Sequence, residues 1–246
     1  MHAFKAELRK IMSVRSTYVW LLATFAMSVL LVGFWIYGYK DVEHAGQNTD
    51  AMVKMMLNGI GISGVFMTFP LLLLVGHEYR YNTILYSLTS AKHRFSLFFS
   101  KLAVGLFLAV VWVALMAALS CGAFFVGQYF HHGATLPQVL PSLETILRSL
   151  AYVTGSIAFG FVIAAIVRSM IASIVIFLLM PSMVEQLLSL VLKDGARFLP
   201  FTALSNLLPS ANTGNPATIT NLITVTAYAV GFGIVAAVLF WRRDAN

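Results

Sequence analysis

Long apolar runs separated by short polar connections dominate this chain. A helix needs about 20 apolar residues to cross the hydrocarbon core of a bilayer, and it must satisfy every backbone amide within itself. Six segments reach that length. Residues 18–38, 102–127, 146–167, 170–192 and 219–241 contain no charge apart from Arg148 and Glu185. The sixth, 52–76, is interrupted by Lys54, Asn58 and glycines at 59, 61 and 64. The pattern predicts an all-α membrane protein with six transmembrane helices forming one domain over residues 1–246.

Two segments outside these runs also carry a helical pattern. Within residues 1–17, Phe4, Leu8, Ile11 and Met12 share one helical face while Lys5, Arg9 and Lys10 lie elsewhere, which predicts a helix in the headgroup region. A basic start before an apolar run resembles a signal peptide, but the run is 21 residues long and lacks a small-x-small cleavage site. The segment is expected to stay on the mature protein. Between spans five and six, residues 196–216 carry Phe198, Leu199, Phe201, Leu204, Leu207 and Leu208, broken by Pro200, Pro209 and Pro216. This is too apolar for a solvated loop and too broken for a span. One or two short re-entrant helices shielded by protein are expected there.

Composition supports the membrane class. Hydrophobic residues make up 59% of the 246 positions and charged residues 10%, against roughly 25% charged in soluble domains. The net charge of +7 does not point to nucleic acid, because the basic residues flank apolar runs instead of lining one polar face. Eleven Lys and Arg fall on the side that holds the N-terminus, the second loop, Arg168 and the C-terminus, and five fall on the other side. Both termini are therefore expected in the cytoplasm. A single cysteine, Cys121, excludes an intrachain disulfide and any CxxC motif.

The chain offers no catalytic candidate among the common enzyme motifs. No glycine is followed by lysine, so a GxxxxGK[ST] phosphate loop cannot exist and any ATP must act on another polypeptide. Gly61, Ile62, Ser63 and Gly64 resemble the serine motif of intramembrane rhomboid proteases, but no histidine lies inside a later span to serve as base. The pair His131 and His132 has no Asp or Glu within ten residues, so no metal site is expected. Glu185 is the sharpest case, since an ionisable group inside a span costs ~2.5–3.5 kcal/mol or more unless paired or hydrated. It is either a cavity-lining carboxylate, with Pro181, Phe198 and Phe201 as further substrate-path candidates, or a structural partner of Arg197, Lys193 or Lys54.

The charged stretch between spans two and three carries a further signal. From Tyr81 onward, Ile84, Leu85 and Leu88 recur at helical spacing while Arg80, Thr83 and Ser87 take the other face, as in a short amphipathic helix on a membrane. The run Glu78, Tyr79, Arg80, Tyr81, Asn82 and Thr83, followed by Leu85, Leu88, Thr89, Arg94 and Lys101, resembles the signature of ABC-2 type permease subunits of ATP-binding-cassette (ABC) transporters. The segment from Lys5 to Lys10 resembles that family's N-terminal helix, and Ile166, Val167 and Arg168 are similar to its tight turn between spans four and five. Asn82 stands where the family usually has Gly, and no Pro occurs near Ala91 and Lys92.

The resemblance implies that residues 78–94 form a coupling segment. Glu78, Tyr79, Arg80, Tyr81, Thr83, Leu85, Leu88, Arg94 and Arg168 would then contact or relay the motion of a separate ABC ATPase, present in two copies. It further implies a second copy of this permease or a homologous one, no cofactor on this chain, and ATP with Mg on the ATPase. The expected function is ATP-driven export of an amphipathic or hydrophobic cargo such as an antimicrobial peptide, drug or lipid. The expected place is the plasma (inner) membrane of a bacterium, with the lipid bilayer as partner and no nucleic acid. The alternative is an ion-coupled secondary transporter or channel without an ATPase, using Glu185 and the break at Pro181 as its ion site.

Overall fold

A computed structural model describes residues 2–38, 64–81, 83, 94–131, 143–208 and 218–243, nearly all of them helical and none in a strand. The helices are α1 (His2–Ser13), α2 (Arg15–Gly38), α3 (Thr68–Arg80), α4 (Arg94–His131), α5 (Leu143–Val167), α6 (Met170–Leu179), α7 (Glu185–Leu192), α8 (Pro200–Ser205) and α9 (Thr218–Arg243). A π-helical turn, Met180–Val184, joins α6 to α7, and a 3₁₀ segment, Lys193–Phe198, continues α7.

Among the described residues, four helical stretches are long and apolar enough to cross a membrane: Phe95–Leu119, Ile146–Val167, Met170–Phe198 and Thr218–Trp241. A fifth arises if Phe4–Ser13 and Thr17–Leu30, which meet at 75°, are counted as one broken span. The expected span over 52–76 lies only partly within the described residues. Two boundaries differ from expectation. Helix α4 begins at Arg94, a full two turns before residue 102, because Phe95, Leu97, Phe98 and Phe99 continue its apolar pattern. The stretch expected over 170–192 runs on to Phe198 through the 3₁₀ turn.

Helix α5 is the centre of the bundle and packs against α3, α4, α6 and α9. Its spanning stretch is 61% buried, whereas those of Met170–Phe198 and Thr218–Trp241 are each 11% buried. In water such exposed apolar surface, including Leu190, Val191 and Ile219, would be strongly unfavourable. Against acyl chains it is not. Two hydroxyls on α5 are satisfied by their own helix: Ser156 Oγ donates to the Tyr152 carbonyl at 2.9 Å and Thr154 Oγ1 to the Leu150 carbonyl at 2.7 Å.

Helix α1 buries the face that carries Ile11, with Phe4 and Leu8 packed beside it, and exposes Lys5, Arg9 and Met12. Its apolar side thus meets protein, with the Phe4 ring edge-on to Phe107 at 6.0 Å. Met12, expected on the same face, points away. The bend after it falls at Val14, where Ser13 Oγ takes up the Lys10 carbonyl and the Thr17 amide donates to the Val14 carbonyl.

The turn from α5 to α6 is made by Arg168 at φ 58°. Its amide donates to the Ala164 carbonyl at 2.9 Å, the single-bond form of a left-handed helix cap that more often uses Gly. Directly beside it α3 crosses α6 at Gly76, where an added Cβ would lie 2.7 Å from Met170 Cβ and 2.8 Å from Met170 Cα. Because the obstacle includes backbone, Gly76→Ala is expected to lose about 1–3 kcal/mol from overpacking. Thermal melting of the purified variant in detergent measures this, and an unchanged midpoint would contradict the close crossing.

Candidate functional site

Four charged side chains meet where α1, α3 and α4 converge. Lys101 Nζ lies 2.7 Å from Glu7 Oε2 and 2.8 Å from Glu78 Oε1. Lys10 Nζ lies 2.7 Å from Glu7 Oε1 and 2.9 Å from Glu78 Oε1. Each carboxylate therefore touches both ammonium groups, in a closed ring of alternating charge. The side chains of Glu7 and Lys101 are 2% exposed, that of Glu78 is 7% and that of Lys10 is 38%. A lone charge at this depth would carry a desolvation penalty of several kcal/mol. The ring balances two negative charges with two positive ones and joins them by four short charge-assisted hydrogen bonds.

Burial opposes the charge on Glu78, but the charge and hydrogen bond of Lys101, followed by those of Lys10, outweigh it and hold its carboxyl below the usual carboxylate value. Burial likewise opposes the charge on Lys10, and the hydrogen bonds and charges of Glu7 and Glu78 outweigh it, so its ammonium sits above the usual lysine value.

The helices themselves place these groups. Glu7 and Lys10 are three apart on α1 and so share a face. Glu78 lies in the last turn of α3 and Lys101 in the second turn of α4. The residues between α3 and α4, where the amphipathic pattern falls, are thus held at both ends by the ring. A second joint lies beside it. The Arg168 guanidinium stands 5.1 Å from the centre of the Tyr79 ring and donates through Nη2 to the Leu239 carbonyl of α9 at 3.0 Å. Phe98 of α4 packs on Phe161 of α5 at 4.9 Å and Phe240 of α9 at 5.8 Å. A cleft of about 480 Å³ opens next to the ring, lined by Lys10, Ser13, Thr17, His77, Glu78, Tyr81 and Thr83 among others.

The residues expected to couple to an ATPase accordingly divide. Glu78 is buried and Tyr79 and Arg168 are half-buried, and all three serve contacts inside the chain. Arg80, Tyr81 and Thr83 are exposed, with the Arg80 guanidinium 5.6 Å from the Tyr81 ring centre. Arg94 is the first residue of α4. Leu85 and Leu88 lie outside the described residues. Glu7 was missed by pattern reading, although one signal was available: it interrupts the apolar face between Phe4, Leu8 and Ile11 in a chain with only nine acidic residues.

Glu185 makes a contact that neither expectation named, and Lys54, one of its expected partners, lies outside the described residues. It is 4% exposed. Its Oε1 accepts the Phe201 amide at 2.8 Å, and its Oε2 accepts the Thr202 amide at 2.6 Å and the Thr202 hydroxyl at 2.8 Å. The carboxylate thus caps the first turn of α8 from another helix. It is needed there because the residue at the cap position, Leu199, has no acceptor side chain. The π turn makes the reach possible. Ser173 and Phe177 are the buried residues of α6, and two further α-helical turns would bring Val184 beneath Phe177. The wider turn, closed by the Glu185 amide on the Met180 carbonyl, inserts one residue and rotates Glu185 inward. Pro181 sits within it, exposed. Phe201 is buried between Phe159 at 5.3 Å and Phe177 at 5.7 Å. Phe198 is 43% exposed, with the Arg197 guanidinium 4.8 Å from its ring centre. Within the chain, Pro181 and Phe198 are exposed while Glu185 and Phe201 are buried and share one internal contact.

Among the described residues no group of three or more His, Cys, Asp or Glu side chains could hold a metal ion. No family model matches the chain, and no curated protein matches it closely enough to count as a relative.

Proposed function

We propose that this chain is the membrane-spanning permease subunit of an ATP-driven exporter of ABC-2 type. It works with a separate ATPase and a second permease copy or homologue, and moves an amphipathic or hydrophobic cargo out of the cell. The carrying observation is the buried Glu7–Lys10–Glu78–Lys101 ring. It ties both ends of the α3–α4 connection and the N-terminal helix into one unit, so a force applied to that connection moves the membrane helices and not a loose loop. The exposed Arg80, Tyr81 and Thr83 offer the handle, and the Arg168 joint extends the rigid unit to α5 and α9. The six-span plan with both termini in the cytoplasm belongs to the same reading and rests on the apolar runs and the distribution of Lys and Arg. Both oxygens of Glu185 are engaged in capping α8, which weighs against an ion-coupled transporter built on that carboxylate.

The test is capture of an ATPase by the tagged chain from native membranes. Wild type is expected to bring ATPase activity with it. The double variant Arg80→Ala, Tyr81→Ala is expected to lose at least fivefold of it with an unchanged melting midpoint, because both side chains are exposed. Transport by the chain alone in liposomes, driven only by an ion gradient, would sink the proposal.

A further inference from the structure

We infer that a groove around Arg148 binds the headgroup phosphate of an anionic phospholipid, with one acyl chain lying along its apolar wall. Arg148 lies in the second turn of α5, about 28 Å along the helix from Val167 at 1.5 Å per residue, and so at the end of the bundle away from the charged ring. The groove holds about 420 Å³ between the start of α5, the start of α9 and Leu207. Leu147, Ala151 and Leu222 form its wall, and Leu147 and Leu222 are 54% and 45% exposed.

Arg148 itself is sunk into this apolar surface, its side chain 11% exposed. Its Nη2 donates to the Asn206 carbonyl at 3.3 Å. Its Nη1 stands 3.7 Å from Glu144 Oε1, beyond hydrogen-bond distance, on a carboxylate whose side chain is 75% exposed. Its Nε is buried and has no acceptor among the described residues. A guanidinium has five N–H donors, and leaving a buried one without an acceptor carries the full desolvation cost of that group. An oxyanion with two oxygens side by side matches the guanidinium fork.

Lipid is the source that the surroundings favour. The groove opens between the first turns of two stretches long and apolar enough to cross a membrane, Ile146–Val167 and Thr218–Trp241, which places Arg148 at headgroup depth with leucines leading inward. A net negative headgroup complements the buried cation, and a zwitterionic one brings its own positive charge beside it.

Native mass spectrometry of the purified chain in detergent, titrated with phosphatidylglycerol, phosphatidylcholine or inorganic phosphate, tests this. Wild type is expected to hold one phosphatidylglycerol per chain with at least fivefold preference over phosphatidylcholine. Arg148→Gln is expected to lower that affinity at least fivefold, and Glu144→Gln to raise it, since the competing carboxylate is gone. Leu222→Trp, which narrows the groove and leaves the guanidinium in place, is expected to lower it as well, and keeps the test valid should Arg148→Gln fail to fold. Equal binding of the two lipids, unchanged binding in Leu222→Trp, or stabilisation by inorganic phosphate equal to that by phosphatidylglycerol would overturn the inference. None of these outcomes depends on an ATPase.

Discussion

Lys101→Met is expected to cost about 3–5 kcal/mol of stability, the penalty for removing one partner of a buried ionic network. Methionine matches the length of the lysine stem, so the loss reports charge and not volume. Glu7 and Glu78 would be left facing each other with Lys10 as their only remaining counter-ion in the ring. Lys10→Met is expected to cost much less, because its side chain is 38% exposed and water replaces part of what it provides. Thermal unfolding in detergent measures both, and equal midpoints for the two variants would show that depth in the ring does not matter.

The same ring sets a pH profile. Glu78 is held below its ordinary 4.5, so its contribution is complete above pH 4.5 and is lost as the pH falls through the depressed value. Lys10 is held above its ordinary 10.5, so its contribution is complete below pH 10.5 and is lost as the pH rises through the raised value. The difference in melting midpoint between wild type and Glu78→Gln should therefore stay level across that window and shrink on both sides of it, as Glu78 gains a proton below and Lys10 loses one above.

Glu185→Ala is expected to cost on the order of 3 kcal/mol, since one or two buried amide donors lose their acceptor at about 1–3 kcal/mol each. The damage should be local. Hydrogen exchange at Phe201 and Thr202 is expected to speed up at least tenfold while the amides of α5, at the centre of the bundle, keep their protection. Glu185→Gln retains one acceptor oxygen and should recover part of the loss. If Glu185 were instead an ion site, Glu185→Ala would leave these amides protected and change only transport, and that outcome would refute the capping role.

These effects follow from tertiary contacts that span large separations in the chain. Lys101 and Glu7 are 94 residues apart and still meet at 2.7 Å. A push on the exposed Arg80 and Tyr81 would be passed through this contact and through Arg168 to α9, which is why the ring, and not the exposed residues alone, supports the proposed coupling role.

The apolar runs by themselves determined that the chain is helical and built for a membrane, because no other backbone arrangement of such length satisfies its amides in lipid except a closed barrel. They also placed the stretches 146–167 and 218–241 to within a residue, since a charge-free run of fixed length has few alternative readings. The amphipathic face of α1 was equally visible, apart from Met12. Periodicity could not say what the rare charges do, because a charge is stable in a bilayer only through its partner and partners lie far away in sequence. Glu185 read either as a cavity-lining carboxylate or as a structural partner of a nearby cation; the fold brought the open first turn of α8 to it, and one extra residue in a π turn decided which way it faced. Glu78 and Lys101 read as separate charges near the ends of apolar runs, and Glu7 carried no reading of its own. Only the convergence of α1, α3 and α4 joined them with Lys10 into a single neutral, largely buried unit.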